Sequence, residues 1–289
     1  MIDRKQHVFL TAQRLFLEKG FSATSVQDIL EESGISKGTF YNYFSSKNEC
    51  LIAILEHAYD EALIRRQELI IGKDVSNKNI LAKQIAVRTQ VNREHNLMPL
   101  FGAIFHSKDA ELKAFIKKQL LTELAWLSKR LVDVYGQEAK PYSLDCAVML
   151  IGMIQHYHVS IPGSNEDLEP EIIVQFILRR MDSIISGMIS TDDKLLDIGI
   201  FLQQSNEKRY SKEQLLEKLH HFLASLDNKL GSKQYPEFLI DELQSEQPRV
   251  LLIETVIRSF REAFIGTSAE LEAQEIALHL YHYLNTLKK

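Results

Sequence analysis

Apolar residues recur at spacings of three and four along nearly the whole chain, and no segment alternates convincingly with the period of two that a strand requires. Val8, Ala12, Leu15 and Phe16 set the pattern at i, i+4, i+7 and i+8, while Lys5, Gln13, Arg14 and Glu18 fall off that stripe. Turn-forming residues are scarce: 12 glycines and 6 prolines in 289 residues, each roughly half the usual share. Few turns and a persistent helical period mean long helices with few connections, so the fold class is all-α and sandwiches and barrels are disfavoured. The length suggests about two domains.

Lys and Arg number 34 against 39 Asp and Glu, a net charge of −5. That excludes a uniformly basic nucleic-acid coat or a polybasic membrane binder, but not a small DNA-contact face on an acidic body. Cys50 and Cys146 stand alone in unlike contexts, which leaves no disulfide framework or four-cysteine zinc site. The charged start Met1-Ile2-Asp3-Arg4-Lys5 lacks an apolar signal region. The longest apolar run, Cys146 to Ile154, is too short to span a bilayer. The expectation is a soluble, cytoplasmic protein with no membrane partner.

Start and stop signals divide the N-terminal region closely. Gly20 ends the first helix in a left-handed C′ position. Thr24 with Gln27 reads as a capping box opening a helix whose inner face is Val26, Ile29 and Leu30, and Gly34 ends it. Ser36 caps a third helix with inner residues Phe40 and Phe44. Ser46 with Glu49 opens a long fourth one carried by Leu51, Ile54, Leu55, Ala58 and Ala62 to about Gly72. Further helices are predicted over Ile80–Asn96, Pro99–His106, Asp109–Tyr135, Tyr142–Ser160 and Pro170–Ile189. After Thr191 the period continues over Lys194–Gln204, Lys212–Lys229, Pro236–Leu243, Pro248–Phe264 and Ala269–Leu287. Tyr142–Ser160 and Pro170–Ile189 are apolar on more than one stripe, so each needs cover on two sides, and a second subunit is the simplest second cover.

Three short helices, the second and third joined by a tight Ser33-Gly34-Ile35-Ser36 turn, form a helix-turn-helix pattern. With Phe40 and Phe44 turned inward, Lys37, Gly38, Thr39, Tyr41, Asn42 and Tyr43 face out, a surface suited to a major groove. Gly38 permits close approach, Lys37 can reach guanine or phosphate, Asn42 can pair with adenine, and the tyrosines can donate to phosphate. Thr24, Ser25 and Ser36 lie at helix starts that favour a phosphate, and Lys47 is placed for the same task. The first fifty residues hold six basic and six acidic side chains, so the reading head is neutral.

Ala12-x-x-Leu15-Phe16, Gly20-Phe21, Thr24-Ser25-Val26-x-Asp28-Ile29, Gly34-Ile35-Ser36-Lys37-Gly38-Thr39-Phe40-Tyr41-x-Tyr43-Phe44 and Ser46-Lys47 resemble the TetR family of bacterial transcriptional regulators. Leu30 and Asn42 depart from the usual pattern, which bears on operator preference. The resemblance implies an Ω-shaped homodimer on a palindromic operator, released when a small lipophilic ligand enters the larger helical domain. The expected organisation is a head at residues 3–63 with its helix-turn-helix at about 26–45. A ligand-binding and dimerisation domain at 73–190 and an additional helical region at 191–289 follow. The dimer interface is expected on the Tyr142–Ser160 and Pro170–Ile189 helices.

Candidate pocket residues are Arg88, Phe101, Phe105, His106, Trp126, Met149, Met153, Gln155, His156, Tyr157 and Phe176, although core packing is the ordinary role of the apolar ones. Glu275, His279 and His282 share a helix face that could hold a metal, against the simpler reading of interfacial packing. Gly34-Ile35-Ser36-Lys37-Gly38 also fits the G-x-S-x-G pattern of hydrolases, but that elbow needs a strand before the serine, and helices flank it here. No phosphate loop, dinucleotide fingerprint or triad is present, so neither enzymatic activity nor a cofactor is expected. The competing function is a DNA-binding regulator without a small-molecule effector, controlled by a protein partner on the C-terminal extension.

Overall fold

The computed structural model describes residues 4–105, 109–160, 169–196, 210–226 and 231–287. Within them lie thirteen α-helices and two short 3-10 turns, and no strand. The helices are α1 (Arg4–Glu18), α2 (Val26–Ser33), α3 (Lys37–Tyr43), α4 (Lys47–Ile70), α5 (Lys78–Glu94), α6 (Met98–Phe105) and α7 (Ala110–Tyr135). They continue with α8 (Ser143–Ser160), α9 (Pro170–Thr191), α10 (Lys212–Ser225), α11 (Gln234–Gln244), α12 (Val250–Ala263) and α13 (Glu270–Leu287). The all-α reading holds. The helix predicted over Lys194–Gln204 falls mostly outside the described residues. Its first three residues are not helical, and the Leu195 and Leu196 amides donate to Asp145 at 3.0 and 3.1 Å.

One local prediction shifts by a residue. Thr24 is fully buried and its hydroxyl donates to the carbonyls of Leu15 and Gly20, so it closes the preceding turn. Ser25, extended at φ −93° and ψ 163°, is the N-cap of α2, and Asp28 completes its capping box.

The described helices gather into two compact units that are not sequential along the chain. The first unites Met1–Gly72, Val91–Leu112 and Lys208–Lys289. Here the first half of α4 packs on α1, burying Cys50, Leu51, Ile54 and Leu55. The helices α12 and α13 also pack against α4. Ile64 joins a core with Leu219, Phe222, Ile257, Phe260, Phe264 and Leu280. The Phe222, Phe260 and Phe264 rings meet edge-on at 5.0–5.4 Å, a geometry that aligns ring edges with ring faces. Polar contacts fix the register: Arg261 grips Glu68 through two 3.0 Å hydrogen bonds, and Gln274 Nε2 donates to the His57 carbonyl at 3.1 Å.

A second polar cluster lies on α4 where the end of α5 meets it. His95 Nε2 is 2.7 Å from Glu61 Oε2, and Arg65 bonds both Glu61 and Glu94. Burial opposes ionisation of Glu61, but the His95 hydrogen bond and the Arg65 charge outweigh it and hold this carboxyl at about 2. The same hydrogen bond raises the pKa of His95. Burial pushes neighbouring His57 down to about 4, so it is neutral at pH values above that.

The second unit comprises Lys73–Gln90 and Lys113–Glu207. Its core brings together Leu81 and Ala86 of α5, Leu127 and Leu131 of α7, Ala147 and Leu150 of α8, and Ile177, Met181 and Ile185 of α9. The buried Arg130 ties α7 to α5 and the preceding loop, donating to Gln84 (3.0 Å) and to the Val75 carbonyl (2.9 Å), with Asp133 at 2.7 Å.

Two measurements check these contacts. Arg261→Met strands the mostly buried Glu68 and is expected to cost about 2–3 kcal/mol at neutral pH in urea melts, somewhat less than for a fully buried pair. Because burial already raises the pKa of Glu68, the loss should shrink in mild acid as that carboxyl takes up a proton. For the second cluster, the contribution of Glu61 is present above its ordinary 4.5 and fades toward about 2. That of His95 is complete below its ordinary 6.5 and is lost as pH rises through the raised value. The stability difference between wild type and His95→Gln should therefore be largest between pH 4.5 and 6.5 and decline above that window.

Candidate nucleic-acid interface

The head is assembled by local signals. Asp28 accepts the Ser25 amide at 2.7 Å while Ser25 Oγ accepts the Asp28 amide at 3.1 Å. The Ser25 hydroxyl, which donates to the Asp28 carboxylate at 2.5 Å, then the Ser25 amide and Lys19 at 3.2 Å hold the Asp28 carboxyl at about 2. Gly34, left-handed at φ 64°, returns its N–H to Leu30 and stops α2. Ser36 then caps α3 by accepting the Thr39 amide at 3.1 Å, so the serine of the hydrolase-like pattern is a helix cap.

One face of α3 is spent on the core. Phe40 is fully buried and Phe44 nearly so, alongside the buried Leu15, Phe16 and Ile29. Opposite them, Lys37, Gly38 and Asn42 are exposed, Tyr41 is 46% exposed, and Thr39 and Tyr43 are half-buried. The outward set expected from sequence is thus brought onto one short helix. Ser25 and Ser36 are exposed at their helix starts, although the Ser36 hydroxyl shares a 2.9 Å hydrogen bond with Thr39. Gly38 is not required by backbone angle, and an added Cβ would meet only Ser36 Oγ at 3.8 Å. Nothing inside the head demands a glycine there.

Two expected phosphate contacts have internal work instead. Thr24 is the buried turn residue described above. Lys47 Nζ donates to the carbonyls of Phe21 (2.9 Å) and Thr24 (2.8 Å) and lies 4.3 Å from the Phe21 ring centre, and desolvation lowers its pKa. Lys47 stands at a helix start, but the carbonyls it binds belong to a turn more than twenty residues earlier. Asn48, which carries no sequence signal of its own, donates to Asp109 at 2.8 Å, and Asp109 also accepts the Glu111 and Leu112 amides at the start of α7.

The pocket candidates scatter. Trp126, Met149 and Met153 pack on the core of the second unit. Tyr157 and Phe176 meet edge-on at 6.0 Å on exposed parts of α8 and α9, and Gln155 and His156 are also exposed. Arg88 pairs with Glu123 at 3.4 Å. Phe101 lies in the first unit, while the Phe105 side chain and His106 lie outside the described residues. Among the described residues no group of three or more His, Cys, Asp or Glu is placed to hold a metal. Glu275 pairs with Lys218 at 2.8 Å and His279 at 3.4 Å, and the His279 ring packs on Tyr210 with centres 4.0 Å apart. No described helix is long and apolar enough to cross a membrane.

Gly38→Ala tests the interface without disturbing its support. It should leave the thermal melting temperature unchanged or raise stability by up to about 1 kcal/mol through helix propensity, while weakening binding to a selected duplex. Unchanged DNA affinity would remove Gly38 from the contact surface.

The family model for bacterial regulatory proteins of the tetR family matches residues 9–54. The chain is 26% identical to an uncharacterized HTH-type transcriptional regulator, YuxN, of Bacillus subtilis (strain 168), over 91% of this chain and 94% of that protein. It is likewise 26% identical to a second such regulator of that strain, YerO, over 89% of each. Matches of this extent include much of the region after Thr191. A shorter match, 34% identical over 24% of this chain and 34% of the other, is to the HTH-type transcriptional repressor NemR of Escherichia coli (strain K12). No solved structure matches the chain. With α2 and α3 inside the matched segment and their polar face outward, the chain is a DNA-binding transcriptional regulator carrying a tetR-family helix-turn-helix domain, with a long helical C-terminal region.

Proposed function

We propose that the protein is a cytoplasmic, homodimeric repressor that binds a palindromic operator and is released by a small lipophilic ligand. The observation that carries this reading is an apolar outer face on α8 and α9, beyond the face each spends on its own core. Val148 (42% exposed), Ile172 (53%), Phe176 (39%) and Tyr157 stand in solvent on these two packed helices. Large side chains on neighbouring helices need cover, and a second copy of the same pair supplies it symmetrically. Dimerisation would bring two α3 helices to one duplex, about 34 Å apart when they enter successive major grooves. Ser25, Ser36, Lys37, Gly38, Thr39, Tyr41, Asn42 and Tyr43 are the proposed contact set. Residues 73–190 are the proposed ligand and dimerisation domain, with Trp126, Met149 and Met153 as the apolar side chains favoured for a pocket. The ligand must bind an arrangement that misplaces the heads better than one that fits, because equal affinity for both shifts nothing. The likeness of this chain to NemR, a transcriptional repressor, supports repression.

A second reading has its own support. The helices α12 and α13 pack on α4 in the unit that contains the head. A protein partner on the C-terminal region would therefore act on α4 without any small molecule. A release screen separates the two: displacement of bound duplex by lipophilic compounds supports the first, and insensitivity to all of them supports the second.

The dimer is tested by the double variant Ile172→Glu, Phe176→Glu. It should be a monomer by light scattering, with helicity retained, and should bind a selected palindromic duplex about 100-fold or more weakly, since the two heads no longer bind as one. A variant that remains dimeric would exclude this face.

A further inference from the structure

We propose that Lys47 is a positioning residue for operator recognition, fastening the turn between α1 and α2 to the first turn of α4 and so fixing the helix-turn-helix on the helix that carries it. The inference rests on the DNA-binding function of the head and is independent of the ligand and dimer readings.

Three polar links converge at this point. Thr24 binds the turn to the end of α1, its amide donating to Gly20 at 3.1 Å and its hydroxyl to Leu15 at 3.2 Å and Gly20 at 2.9 Å. Lys47 takes the carbonyls of Phe21 and Thr24 in the same turn at 2.9 and 2.8 Å. The next residue, Ser25, caps α2. An ammonium has three N–H donors, and two are engaged here with backbone carbonyls of the turn between α1 and α2. The Phe21 ring, itself edge-on to buried Phe16 at 5.1 Å, lies 4.3 Å from the ammonium. Swinging Lys47 out to a phosphate would abandon both carbonyls and the ring together. A side chain held this way acts through α2 and α3, not by touching DNA.

The role differs measurably from a phosphate contact. A lost phosphate contact weakens all duplexes alike and flattens the salt dependence, by about 0.9 in the slope of log K against log salt for each lysine. A lost positioning contact weakens the sequence that needs correct placement and leaves the slope unchanged. The probes are a duplex selected by the wild-type full-length chain from a random pool and a scrambled duplex of the same length. Lys47→Met keeps the stem over the Phe21 ring and removes the N–H donors. It is expected to bind the selected duplex at least tenfold more weakly, with the scrambled duplex within twofold of wild type and the salt slope unchanged. Equal loss on both duplexes, a flattened slope, or no loss on either would overturn the proposal. Wild-type preference for the selected duplex is the control for the DNA-binding assignment itself. Should Lys47→Met lose helicity, nitrogen NMR of the wild-type lysine ammonium decides. A Lys47 signal equally protected from solvent with and without duplex supports the proposal, and a through-hydrogen-bond coupling to a phosphate overturns it.

Discussion

Covering α4 is the constraint on which the first unit depends. A 24-residue helix with buried positions from Cys50 to Arg66 would expose a long apolar stripe if only the head lay against it. The stripe is closed by segments far apart in sequence: α1 covers its first half, and Ile64 packs into a core with side chains more than 150 residues later. Helices of this length draw most of their stability from such packing, not from propensity. The consequence is that the C-terminal region is not an appendage. It shares a compact unit with the reading head, and the Arg261–Glu68 pair fixes its register on α4.

The head was legible because its instructions are short-range. Gly34 needs only a left-handed angle, Ser36 needs only the amide three residues on, and Phe40 and Phe44 are one turn apart on a face that must turn inward. Sequence missed whatever depends on where the chain returns. Thr24 and Ser25 are both good N-cap residues, and only burial of Thr24 against α1 decides that Ser25 takes the role. Arg66 is 1% exposed on a helix whose sequence places it among charged neighbours, which no periodicity argument would have chosen. The partners of Lys47 are carbonyls, and carbonyls leave no mark in a sequence.

The second unit shows the complementary case. The signal there is an excess: α8 and α9 carry more apolar residues than one core can bury, and the structure leaves Val148, Tyr157, Ile172 and Phe176 outside. Arg179 and Arg180 flank the Phe176 ring at 5.8 and 5.3 Å. Cations beside an exposed aromatic keep such a face compatible with water while leaving its centre available for packing.

The charge of the head then limits how it can bind DNA. Several of its cations have intramolecular partners: Arg14 with Glu18 and Glu32, Lys19 with Asp28, and Lys47 with two carbonyls. Lys37 is the exposed cation of α3. With the six cations of the first fifty residues matched by six acidic groups, a modest contribution from counterion release is expected. Discrimination must then rest on the fit of a small polar face, Gly38, Tyr41 and Asn42 among it, whose position has to be held firmly. A neutral reading head places a premium on rigid internal bonds, which is why a lysine fixed to two backbone carbonyls can matter more to recognition than one reaching for the duplex.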